Sequence, residues 1–297
     1  MAVNVHINVH MDISLSKFLI QFNKVCEAAD DAYWRTDRLT TLELLQREWE
    51  RGKHVCPLFS VFGIYNTLFK VDWLHCADHG IAADFLGSLF EHMVHKHMPG
   101  NNQGERCDAL GALIMKYYDE NNVLDQLKEF AMKSFQGSKR TVPPKLKGNA
   151  ASVRALVPFG YSIAKEYLSD DVPIEQAMKC AAHHLASCYE CLRESSIVVS
   201  HSALYEHSKA FALQYGALYT SFGSTVKWRP RPKMHMFLEL CSSETEPQKF
   251  WNYRDENFGG TVARKSKMKG RWKTICFFCK HAHDMFRMKN QVPSIRD

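Results

Sequence analysis

Asp72-Trp73-Leu74-His75 sets a carboxylate and an imidazole three residues apart, and Asp255-Glu256 adds two more acids far downstream. Carboxylates from distant parts of a chain, once folded together, can hold a hard divalent cation, and an imidazole beside them can hold or pass a proton. Each acid also has a plainer role open to it. Asp72 could cap a turn or a helix, and Asp255-Glu256 could start a helix and oppose its dipole. Asp78 and Asp84 read as solvated or capping residues.

A second kind of chemistry belongs to sulfur and imidazole. Cys276, Cys279, His281 and His283 could supply the four tetrahedral ligands that Zn²⁺ takes. Their spacing is tighter than that of an ordinary zinc finger, and buried thiols with surface imidazoles are the other reading. Cys188 and Cys191, just after His183-His184, repeat the Cys-x-x-Cys spacing within an expected helix. Between Arg264 and Lys273, point charges surround Trp272. That mixture suits phosphate contact with stacking, or else a solvated basic helix.

The elements that must position these groups follow from periodicity and punctuation. Residues 65–71 carry β-branched and aromatic side chains without a breaker and predict a strand, with Asp72 at its carboxyl end. Ile81, Phe85, Leu86, Leu89, Phe90, Met93 and Val94 recur at helical spacing, predicting a helix to residue 97. Upstream, residues 3–11 alternate as a half-buried strand ending beside Asp12. Helices are expected over 15–31 and after Thr40 or Thr41, the latter with Glu43 as capping-box partner of Thr40, an apolar face of Leu42, Leu45 and Trp49, and Gly52 at its end. Downstream, helices are expected at 105–119 and 121–135. A basic, breaker-rich connection over 136–148 reads as a solvated linker or a phosphate contact. The next helix, 150–168, should be kinked or split at Pro158. Another, capped by Asp170 or Asp171 with Pro173 in its first turn, should run to about residue 194, and one more to about 221. Trp228 to Cys241 reads as a basic, proline-stiffened lead into a helix.

Composition bounds the whole. The 297 residues are 45% hydrophobic and 24% charged, ordinary for a globular protein, with room for one large domain or two small ones. No window reaches the ~18 uninterrupted apolar residues of a membrane span, so no membrane partner is expected. The first twelve residues lack the apolar core of a signal peptide, which leads us to expect an intracellular protein whose ten cysteines are reduced thiols. The formal charge is +6, and from residue 261 onward ten Lys and Arg face only Asp284 and Asp297. Such a basic end favours polyanions.

A strand-end acid with a histidine three residues on, a helical middle and a late acidic pair resemble the DDE-type cut-and-paste DNA transposases. The resemblance is to branches such as the CACTA-type enzymes and covers roughly residues 56–272. It implies an RNase H-like core and Mg²⁺-dependent strand cleavage and transfer through two cations. Asp72 would bridge the cations, Glu256 would complete one site, and His75 would bond the attacking water, a phosphate oxygen or the carboxylate. Lys233-x-His235 and Arg271-Trp272 match segments near the last acid in those enzymes. Phosphate contacts would fall to Lys233, His235, Arg254, Arg264, Lys265, Lys267, Lys269, Arg271 and Trp272.

The pattern is incomplete. Asp12 is the one candidate first acid, with a solvated Asp ending an edge strand as the other reading, and residues 15–50 read as helices where the family has a hairpin. The expected fold is therefore mostly α with a small α/β part, an RNase H-like remnant sheet interrupted by a large all-helical insertion. Residues 1–80 would lead to the Asp72 motif, 81–222 form the insertion, and 223–297 carry the acidic motif and basic tail. The expected function is that of a transposase-derived, DNA-binding protein with an incomplete acidic triad, nuclear if eukaryotic. A non-catalytic, mainly helical nucleic-acid-binding or protein-interaction protein is the alternative.

Overall fold

The computed structural model describes residues 39–52, 57–135, 142–193, 201–221, 227–242, 247–249 and 251–253. The chain divides into two units, residues 1–250 and 251–297. In the second, the Trp251 and Tyr253 rings meet edge to face at 5.4 Å.

The described part of the first unit is helical: α1 (Thr41–Glu50), a π-helix (Leu74–Ala82) that runs directly into α2 (Ala83–Lys96), α3 (Gln103–Glu120), α4 (Ala150–Ala155), α5 (Val157–Tyr167), α6 (Pro173–Cys191), α7 (His201–Ser221) and α8 (Pro232–Ser242). Among the described residues there is no strand, and no helix is long and apolar enough to cross a membrane. The expected strand over 65–71 is instead a short 3₁₀ turn, Asn66–Leu68, between extended residues. Its local chemistry competes with a ladder. The Asn66 amide donates to the Leu39 carbonyl at 2.6 Å, and Thr41 Oγ1 donates to Asn66 Oδ1 at 3.0 Å. An RNase H-like sheet is thus not formed by the described residues. Residues 3–11, Asp12 and the helix over 15–31 lie outside them.

Several helix ends follow their sequence signals. Thr40 and Glu43 form the expected capping box, and Gly52 takes the left-handed conformation (φ 64°) just beyond α1. The apolar face expected of that helix is not buried, and Leu42 and Trp49 are exposed. Pro158 splits the expected long helix at Leu156 and sits in the first turn of α5, where its missing N–H costs nothing. Pro173 opens α6, but neither Asp170 nor Asp171 caps it. Val172 holds the cap position without a side-chain bond, and Asp170 instead receives Lys179 Nζ at 2.7 Å.

The helix expected over 121–135 is absent because α3 ends decisively. Asn122 adopts φ 49°, its N–H reaches the Asp119 carbonyl, and the Val123 N–H reaches the Tyr118 carbonyl at 3.0 Å. That pair of bonds closes the last turn and turns the chain away.

The core centres on α2. Phe85, Leu86, Leu89, Phe90, Met93 and Val94 are all buried, as their spacing predicts, yet so are Asp84, Ser88 and Glu91 on the other faces. A helix enclosed on every side is a central one. It packs on α3 and α5, while the π-helix packs on α4 and α8; α6 packs on α5 and α7, and α7 on α8. Aromatic rings knit the packing. Trp73 meets Tyr189 edge to face at 5.5 Å, Phe85 meets Phe211 at 5.6 Å, and Trp228 lies 5.6 Å from Phe85 and 5.7 Å from Tyr215.

Candidate functional site

Asp72 sits at the start of the π-helix and acts as its cap. Its Oδ2 accepts the His75 N–H at 3.0 Å, Oδ1 accepts the Leu74 N–H at 3.4 Å, and Oδ2 also lies 2.5 Å from His75 Nδ1. An acid followed three residues on by a bonding side chain is the geometry of a helix start. The two residues of the acid-x-x-His motif are therefore brought together, by one turn of backbone. Asp72 is 8% exposed in its side chain and both of its oxygens are acceptors. Among the described residues, no group of three ligand atoms within metal-holding distance includes it. They do not assemble a two-cation centre. Glu256 and Asp255 lie outside the described residues, as do Arg254, Arg264, Lys265, Lys267, Lys269, Arg271, Trp272 and the Cys276, Cys279, His281, His283 cluster.

The π-helix is held open by lysines from elsewhere. Lys233 Nζ donates to the His75 carbonyl at 2.6 Å, and Lys145 Nζ donates to the His79 carbonyl at 2.5 Å. A helix wound to five-residue bonds displaces carbonyls that outside donors can then reach. Gly80 makes room for the first lysine, because a Cβ there would lie 2.6 Å from Lys233 Cδ. Gly87 does the same for the second segment, since its Cβ would lie 2.5 Å from Lys145 Cα. This contact corrects the solvated-linker reading of 136–148 at its end. Leu146 is buried and its N–H bonds the Ala83 carbonyl at 2.8 Å.

A cationic strip runs alongside. Lys145 Nζ and Arg231 Nη1 approach the Asp84 carboxylate at 3.6 and 3.4 Å, and Lys227 pairs with Glu91. Arg229, between Lys227 and Arg231 in sequence, is exposed. Burial pushes the Asp84 carboxyl up, while Lys145, Arg231 and Lys233 pull it back toward its charged form. The Lys233 ammonium is lowered by burial and then by the nearby charges of Lys145 and Arg231, against a pull from Cys76 and Asp84. Lys145, Arg231 and Lys233 thus share the buried Asp84 carboxylate, and the first two disfavour the charge on the third. Trp228 fixes the strip. It holds a left-handed backbone (φ 61°), costly for a bulky residue, and its ring is buried between Phe85 and Tyr215.

Asp78 and Asp84, read as solvated or capping, are both buried. Asp78 accepts the Tyr189 hydroxyl at 2.5 Å. No periodicity could signal this, because each partner arrives from a distant part of the chain. Lys233 is turned inward to the His75 carbonyl, and His235 faces Glu239 at 3.9 Å. Cys188 is fully buried, which raises its thiol far above the ordinary range, and the Cys76 thiol is pushed up to about 12 by burial. Thiols so buried and so raised are unreactive.

The structure also gathers residues that no motif marked. His92, His97 and Glu175 bring their ligand atoms within 4.8 Å of one another. A five-residue spacing places side chains on different faces of a regular helix, so the sequence carried no sign of it.

No protein-family model matches this chain, and no curated protein or solved structure matches it.

Proposed function

We propose that this chain is a nucleic-acid-binding protein of transposase descent that engages phosphates through cations beside its π-helix. One observation carries the reading: Lys145, Arg231 and Lys233 gather at Asp84, Lys227 pairs with Glu91, and Arg229, between Lys227 and Arg231 in sequence, is exposed. A phosphate backbone relieves such repulsion and releases its own counterions on binding. The expected basic segment from Arg264 to Lys273 extends the same chemistry, and DNA is the polyanion to which the resemblance points. A nuclear site of action in a eukaryotic cell would follow from that partner.

The test is fluorescence anisotropy on a short DNA duplex across a salt series. Arg229→Ala with Arg231→Ala should weaken binding and flatten the dependence of log K on log salt, by about 0.9 for each phosphate that is no longer neutralised. Unchanged affinity and slope would refute a role for the strip.

Strand cleavage is a second reading, favoured by the 2.5 Å pairing of Asp72 and His75. It would need Asp72 to leave its cap and meet Glu256. Mg²⁺- or Mn²⁺-dependent nicking that is lost in Asp72→Ala supports it, and tight binding without nicking leaves the binding protein.

A further inference from the structure

We infer that His92, His97 and Glu175 form a binding site for a divalent transition-metal ion, with Zn²⁺ as the ion their chemistry suits. His92 Nε2 lies 3.2 Å and His97 Nε2 2.9 Å from the same oxygen, Glu175 Oε1. Ligand atoms about 2.0–2.2 Å from a tetrahedral zinc stand roughly 3.3 Å from one another. Each histidine nitrogen therefore already stands at about that separation from the carboxylate oxygen, and all three ligand atoms lie within 4.8 Å of one another. Two imidazole nitrogens with one carboxylate oxygen disfavour Mg²⁺ and Ca²⁺, which prefer all-oxygen shells, and suit zinc and its neighbours.

The fold builds this arrangement from three directions. His92 lies within α2, and His97 is the residue at which that helix ends, with φ −120° and ψ −28°. That departure from helical backbone swings the second ring back, leaving the ring centroids 5.5 Å apart. Glu175 stands in the first turn of α6, where the helix dipole favours its charge. Its other oxygen, Oε2, accepts the Ser169 N–H at 2.8 Å. Such an outer bond orients a ligating carboxylate and leaves one oxygen for the metal. Side-chain exposures of 14, 21 and 11% for His92, His97 and Glu175 keep the site shielded yet reachable. A bound ion would clip the end of α2 to the start of α6, and three protein ligands would leave a fourth position for water. The inference is independent of nucleic-acid binding.

The experiment uses the full chain, stripped with chelator and titrated separately with Zn²⁺ and Co²⁺. Metal content, the Co²⁺ visible spectrum and the thermal midpoint are read together. The Cys276→Ser/Cys279→Ser variant separates this site from the cysteine cluster of the tail. We expect about one equivalent of metal in that variant, a tetrahedral Co²⁺ spectrum without thiolate charge transfer, and a zinc-dependent rise in Tm. His97→Gln and Glu175→Gln, checked for helicity by circular dichroism, should lose about tenfold or more in affinity. Should those variants misfold, the Co²⁺ spectrum of the cysteine variant decides alone. No metal bound to the folded cysteine variant would overturn the inference and leave Glu175 as a hydrogen-bonded clasp for two histidines. Equal binding by folded His97→Gln and Glu175→Gln would overturn it as well.

Discussion

The Tyr189 hydroxyl donates a 2.5 Å hydrogen bond to Oδ1 of Asp78, tying α6 to the π-helix across 111 residues of sequence. Asp78 is fully buried, so its charge depends on the donors that packing brings to it. Tyr189→Phe keeps the ring and removes this donor. It should destabilise the fold by about 1–3 kcal/mol, seen as a lower urea midpoint with an unchanged slope.

Gly80 and Gly87 separate a yielding contact from an unyielding one. A methyl at Gly80 meets the flexible Lys233 side chain, while a methyl at Gly87 meets the backbone of Lys145. Overpacking costs about 1–3 kcal/mol, and Gly87→Ala should lie at or above the top of that range. Gly80→Ala should cost less. In a Lys233→Ala background its cost should shrink further, a coupling that a double-mutant cycle in urea measures directly.

Asp72 has a structural role whatever its chemistry. Removing the cap in Asp72→Ala should cost about 0.5–2 kcal/mol, and Asp72→Asn or Asp72→Ser should recover most of it. Thermal unfolding of the three variants, run beside the nicking assay, distinguishes a lost catalyst from a loosened helix. A stability equal to wild type in Asp72→Ala would contradict the capping geometry.

Histidines between α6 and α7 make stability depend on pH. His184 Nδ1 lies 3.1 Å from His207 Nδ1, and the rings of His183 and His184 are 5.1 Å apart. Burial lowers the pKa of His184 below the ordinary 6.5, and the charges of His183 and His207 lower it further. For His207 the causes are burial and then His183. Below 6.5 the unfolded chain therefore binds more protons than the folded one. The stability these groups contribute is complete above that pH and is lost as pH falls through their lowered values. Urea midpoints between about pH 7.5 and pH 5 should fall, and His184→Gln/His207→Gln should flatten the fall. An identical pH profile in the double variant would rule out this source.

Much of the helical frame was legible because its signals act over one or two turns. The buried stripe from Ile81 to Val94, the Thr40–Glu43 box, the break at Pro158 and the start at Pro173 all depend on neighbours in sequence. Misreadings arose where a local pattern had two outcomes. Residues 65–71 have strand composition, but Asn66 ties them to Leu39 and Thr41. Residues 121–135 have apolar residues enough for a helix, but the left-handed Asn122 closes α3 first. At the candidate site, Asp72 and His75 could be named in advance because they are three residues apart. The pairing of Glu175 with His92 and His97 could not.

By itself, then, the sequence determined that this is a helix-rich chain, where most helices begin or break, and that its charge is biased toward polyanions. Caps, prolines and periodicity are short-range physics, and a linear reading reaches them. Only tertiary structure decided that Lys233 would bond a carbonyl 158 residues away, that Asp78 and Asp84 would be buried, and that two histidines at a helix end would meet one glutamate. Burial removes water from these groups and obliges each to take whichever partner the packing supplies. No spacing along the chain encodes that choice.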